Sequence, residues 1–160
     1  MRDIKEIKGK INAEKKNLDY HKEQGDTLVS QKKASDRMYE SMRSNIKDLS
    51  ALKEIEERRK EAQDKFEETF EHKVERPTEI LKKELDKHIA EAQEESQHLK
   101  RSADLAQGDG IADKAASAAK RSLEKSAAEY GEAAKVAENI KASHDQKVAA
   151  LYKNITSRYK

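Results

Sequence analysis

ALKEIEERRKEAQDKFEETFEHKVERPTEILKKELDKHIAEAQEESQHLKRSADLAQ, residues Ala51–Gln107, decides the fold. Its apolar and small residues recur at Leu52, Ile55, Ala62, Phe66, Phe70, Val74, Ile80/Leu81, Leu85, Ile89, Ala92, Leu99, Ala103 and Ala106. Steps of three and four keep such residues on one stripe of an α-helix. Pro77, the chain's single proline, interrupts the pattern. It offers no amide hydrogen and crowds the preceding turn. The stretch is therefore one helix kinked at Pro77 or two helices meeting there. The register runs from Val74 to Ile80/Leu81 without a skip, which favours the kink.

Upstream, a heptad runs through Ile4, Ile7, Ile11, Glu14, Leu18, His21, Gly25, Leu28, Lys32, Ser35, Tyr39, Met42, Ile46 and Leu49. This is a coiled-coil pattern with a weak middle, where Glu14, His21, Gly25, Lys32 and Ser35 interrupt the apolar seam. Gly25-Asp26 could end one helix and cap another. The unbroken heptad favours a continuous helix. The register slips at Leu49, so a tight turn is expected at Asp48–Ser50, with Asp48 or Ser50 as cap. Gln107-Gly-Asp-Gly110 reads as the second turn, and a third helical stripe follows from Ile111 through Ala127, Tyr130, Ala134, Ala137, Val148 and Leu151 to Ile155 and Tyr159.

The expected fold is all-α, a single domain of three long helices over about 2–48, 51–107 and 111–158, packed as an elongated antiparallel bundle or coiled coil. At about 1.5 Å per residue the helices would be roughly 70, 85 and 70 Å long, giving a rod. Charge supports the order. Residues 1–50 hold 12 basic and 9 acidic side chains, 51–110 hold 12 and 17, and 111–160 hold 10 and 6. An acidic middle helix between two basic ones selects pairing and orientation in an up-down-up bundle.

Composition excludes several classes. Charged residues are 41% of the 160, against about 25% in ordinary domains. The formal net charge of +2 lacks the one-sided basic excess of a nucleic-acid binder. There is no cysteine, hence no disulfide framework or thiol chemistry. No apolar run approaches the roughly 20 residues that span a bilayer, and the first ten residues hold no signal-peptide core. A cytoplasmic location is the expectation, with export by a route that needs no cleavable signal left open.

No pattern of catalytic, cofactor-binding or metal-ligating residues stands out. Glu95-x-x-His98 matches one element of carboxylate-bridged di-metal bundles, but such sites need two copies and two further glutamates. Glu67/Glu71 and Glu91/Glu95 pair carboxylates on one helix face, as an acidic helix does by composition. Gly108-Asp-Gly110 lacks the spacing of a phosphate loop. Basic pairs such as Lys32-Lys33 and Lys120-Arg121 are interleaved with acids and lack stacking aromatics. The end of the chain, Val148–Lys160, is both basic and apolar, which suits a partner helix or, less well, a membrane surface.

These observations point to a non-enzymatic helical interaction protein, a scaffold, adaptor or spacer, without cofactor, nucleic acid or small-molecule substrate. Its partner would be a second copy or another helical protein. The expected contact residues are Phe66, Phe70 and Val74 beside Pro77, and Leu151, Ile155 and Tyr159 near the end. In architecture alone the helical hairpin resembles the small helical proteins of Gram-positive type VII secretion. That resemblance implies a partner or chaperone role for an exported protein. The chain has no Trp and hence no Trp-x-Gly turn, and the turn at Asp48–Ser50 does not substitute for it.

Overall fold

The computed structural model describes residues 3–105 and 113–156. The chain is an all-α helical bundle, with no strand among the described residues. Helix α1 spans Ile4–Asn45, α2 Leu49–Phe70, α3 Arg76–Leu105 and α4 Asp113–Thr156. A π-helical turn, Glu71–Glu75, joins α2 to α3 without a break. The three long helical segments expected from the stripes are thus present. None of the described helices is long and apolar enough to cross a membrane. The turn expected at Gly108–Gly110 lies outside the described residues.

The first turn falls at residues 46–48, slightly earlier than Asp48–Ser50. Asp48 is the cap. Its backbone is extended, with φ −82° and ψ 126°, and its side chain accepts the Ser50 amide hydrogen. The Asp48 carbonyl receives the first helical bond, from Leu52 at 3.0 Å. Ser50 is thereby drawn inside the helix, since a capping carboxylate satisfies the second orphan amide after it.

Around Pro77 the chain stays helical. Phe70, Val74 and Thr78 are buried and Phe66 is half-buried, so the inward positions recur every four residues here. In an α-helix of 3.6 residues per turn a step of four drifts by about 40°. A wider turn absorbs that drift, and the Arg76 amide reaches five residues back to the Glu71 carbonyl. Thr78 rather than Ile80 takes the inward place, and Ile80 stands exposed.

The chain forms two compact units. One comprises residues 1–17 and 81–143, the other 18–80 and 144–160. In the first, Ile7, Ile11, Leu85, Ile89 and Leu99 are buried, as are the α4 alanines Ala127, Ala134 and Ala137. Small residues let the helices approach, and Ser96 Oγ donates to the Ala127 carbonyl at 2.8 Å. Lys141 meets Asp86 at 2.7 Å, pairing basic α4 with acidic α3.

In the second unit, Val29, Phe70, Val74 and Leu151 form one buried cluster, with Leu28, Phe66 and Ile155 packed at its edge. Helix α1 passes through Gly25-Asp26 uninterrupted. Gly25 is buried, and a Cβ there would stand 2.9 Å from Leu151 Cδ1. What reads as a flaw in the seam is a point of close approach between α1 and α4.

Candidate functional site

The two apolar groups singled out from the sequence, Phe66/Phe70/Val74 and Leu151/Ile155, meet in that single cluster. Phe70 packs against Phe66 with ring centroids 5.7 Å apart and edge-on against Tyr152 at 5.8 Å. The expectation that these residues stand uncovered is corrected for Phe70, Val74 and Leu151, which the chain's own helices bury. Phe66 and Ile155 keep partial exposure, and Tyr159 lies outside the described residues. The Tyr152 hydroxyl donates to Glu75 Oε1. Burial, and then the hydrogen bond to the Glu75 carboxylate, push its phenol well above the ordinary tyrosine range.

Beyond this cluster the second unit thins to an arm. Lys147 lies 3.9 Å from Asp19 and Leu151 packs on Gly25, so α4 runs parallel to α1. At equal rise per residue the described part of α4, which stops at Thr156, ends level with about residue 30. From there to the turn, within this unit, α1 and α2 have each other as neighbours. Arg43 pairs with Glu56 across them at 3.4 Å. A groove of about 450 Å³ opens between them, lined among others by Leu28, Lys32, Ser35, Ala62 and Phe66. Towards the tip Met38 is 51% exposed, Met42 37% and Leu49 82%. Lys32 is buried beside Asp36 at 3.1 Å, with its ammonium 5.5 Å from the Phe66 ring centroid.

A second feature, polar and more deeply buried, lies in the first unit. Glu84, His88 and Glu91 occupy one face of α3, at spacings of four and three. Glu14, a seam residue of α1, faces them. His88 Nε2 lies 2.8 Å from Glu14 Oε1, with the imidazole donating to the carboxylate. On the other edge of the ring Nδ1 stands 3.5 Å from Glu91 Oε2. Burial pushes the Glu14 carboxyl above its ordinary range and Glu84 adds to this, while His88 and Lys10 oppose it.

The carboxylate pairs expected to be solvated divide. Glu67 and Glu71 are exposed, accepting from Gln63 at 2.9 Å and pairing with Arg76 at 3.4 Å respectively. Glu91 and Glu95 are instead half-buried, because their face of α3 turns into the bundle. His98 is exposed and takes no part in the cluster. The histidine of this cluster is His88, which is buried. Its signal in the sequence was the pair Glu14 and His88, polar residues standing at seam positions of two helices that run antiparallel.

Set beside known protein families, curated proteins and solved structures, the chain matches none of them.

Proposed function

We propose that the chain is a non-enzymatic helical protein–protein interaction module, and that its α1–α2 arm pairs with the arm of a second copy. The observation that carries this reading is the arm itself: among the described residues of this unit α1 and α2 face each other there, with Met38, Met42 and Leu49 exposed at one end and a groove beside Phe66 at the other. A two-helix hairpin is poor in buried area, and apolar seam residues facing water favour association.

Charge favours a second copy as the occupant. In the arm, α1 carries Lys32, Lys33, Arg37 and Arg43 against Asp36 and Glu40, whereas α2 carries seven acids against five bases. Two arms related by a two-fold axis would set the basic helix of each against the acidic helix of the other, completing a four-helix coiled-coil seam. Such contacts set register and orientation, and the buried methionines and leucines supply the free energy.

Light scattering coupled to size exclusion, run over a hundredfold concentration range, tests the reading. A dimer that the double variant Met38→Glu/Met42→Glu converts to a monomer of unchanged helix content supports it. A wild-type monomer throughout, or a dimer indifferent to both substitutions, overturns it.

A further inference from the structure

We propose that Glu14, Glu84 and His88 form a binding site for one divalent first-row metal ion of the zinc class. Each offers a ligand atom, and the three atoms lie within 4.8 Å of one another. Ligands on a tetrahedral zinc at about 2.0–2.1 Å are about 3.4 Å apart. Glu14 Oε1 already meets the imidazole at 2.8 Å, and small rotations of the two glutamate side chains close the difference.

Three independent observations favour a cation. His88 is 7% exposed, yet its Nδ1 makes no hydrogen bond; the Oε2 atom of Glu14 is also buried without one. The cluster gathers three carboxylates, Glu14, Glu84 and Glu91, around one imidazole. Lys10 acts on Glu14 from a distance, and Lys87 lies 3.2 Å from Glu84, whose side chain is 42% exposed. Negative charge on the largely buried Glu14 carboxylate, 12% exposed, is costly, and a bound dication offsets it.

The ring is also oriented as a ligand. Nε2 faces Glu14, while Nδ1 needs only a slight turn to donate to Glu91, the carboxylate–histidine–metal arrangement that fixes a ligand's tautomer. Metal entry replaces the hydrogen between Nε2 and Glu14 Oε1. That proton is carried on Nδ1, where Glu91 accepts it. One imidazole nitrogen with two carboxylates suits zinc, cobalt or manganese; magnesium and calcium prefer all-oxygen sets. The ion would tie α1 to α3 within this unit, where the sequence places a charged residue in an apolar seam.

The test uses the full chain stripped with chelator, titrated with Zn²⁺ by calorimetry and with Co²⁺ by visible absorption. The expected result is one equivalent bound, ligand-field bands of a low-coordinate cobalt site, and a rise in melting temperature that Mg²⁺ and Ca²⁺ do not reproduce. Glu84→Gln and His88→Gln should each weaken binding at least about tenfold, and His98→Gln should leave it unchanged. Circular dichroism of the metal-free variants establishes that each is folded. Absence of binding, binding that survives both substitutions, or binding lost with His98→Gln overturns the proposal.

Discussion

His21 donates from Nδ1 to the backbone carbonyl of Lys73 at 2.9 Å, and Lys73 lies four residues before Pro77. A carbonyl only accepts, so Nδ1 carries the hydrogen. Pro77 has no amide to offer its fourth preceding carbonyl, and a side chain of α1 stands in. The polar seam residue and the proline thus answer each other across two helices. His21→Ala should cost about 0.5–1.5 kcal/mol, the net worth of one such bond. In a Pro77→Ala background the alanine amide can serve Lys73, and the same change should cost less. Urea unfolding of the four proteins measures the coupling. Equal costs in both backgrounds would sink the account.

Two glycines of α1 should respond in opposite ways to a larger side chain. A methyl group added at Gly9 would meet no atom within 4 Å, so Gly9→Ala should stabilise by up to about 1 kcal/mol through helix propensity alone. At Gly25 the same propensity gain is set against Leu151 Cδ1 at 2.9 Å, with Phe70 and Val74 at 3.5 Å. The tip of Leu151 can yield to one methyl, and Gly25→Ala should be close to neutral. Gly25→Val adds branching in a filled cluster and should lose about 1–3 kcal/mol. Thermal melts of the three variants decide; a valine variant as stable as the alanine one would remove Gly25 as a close-contact position.

Periodicity made the helices legible because each long stripe presents a buried face, and burial overrides weak propensity. Gly25-Asp26 was readable as continuous helix for the same reason. The π turn was harder to see. Spacing at Phe66, Phe70 and Val74 announced steps of four, but the next inward residue is Thr78, and a sequence reading prefers the larger pair Ile80/Leu81, of which only Leu81 is half-buried. The carboxylates misled differently. Glu91 and Glu95 look like any exposed acidic pair until α3 is placed against α1, since desolvation is a property of packing and leaves no mark on composition. Seam polarity was the usable clue. Glu14, His21 and Lys32 look like weaknesses in α1, and each finds a partner: His88, the Lys73 carbonyl and Asp36.

Tyr152 should make the second unit sensitive to alkaline pH. Its phenol is raised in the folded state by burial and by donation to Glu75. A group whose folded value lies above its unfolded one contributes stability that is complete below the unfolded value, near 10 for tyrosine. That contribution is lost as pH rises towards the folded value. Stability should therefore fall as pH climbs above about 10, and Tyr152→Phe should flatten that part of the curve. In a titration followed by phenolate absorbance, Tyr152 should ionise above the ordinary tyrosine value of about 10. Early ionisation of Tyr152 would contradict the hydrogen bond to Glu75.

Lys32 and Asp36 offer the sharpest contrast between breaking a buried pair and replacing it. Both side chains are close to nine-tenths buried and 3.1 Å apart, one turn apart on α1. Removing the carboxylate with Asp36→Ala takes away the acceptor 3.1 Å from the buried ammonium, and attraction from the Phe66 face offsets only part of that loss. Such one-sided deletions cost about 3–5 kcal/mol, and the open groove beside Lys32 places this one at the lower end. Lys32→Met/Asp36→Leu keeps the volume and drops both charges, so it should be neutral or stabilising. The double variant also makes the groove more apolar, and if the arm binds a second copy there, dimerisation should tighten while its salt dependence weakens. Chemical denaturation of both variants gives the stability half of the answer. A double variant as unstable as Asp36→Ala would mean that the pair contributes net stability rather than register.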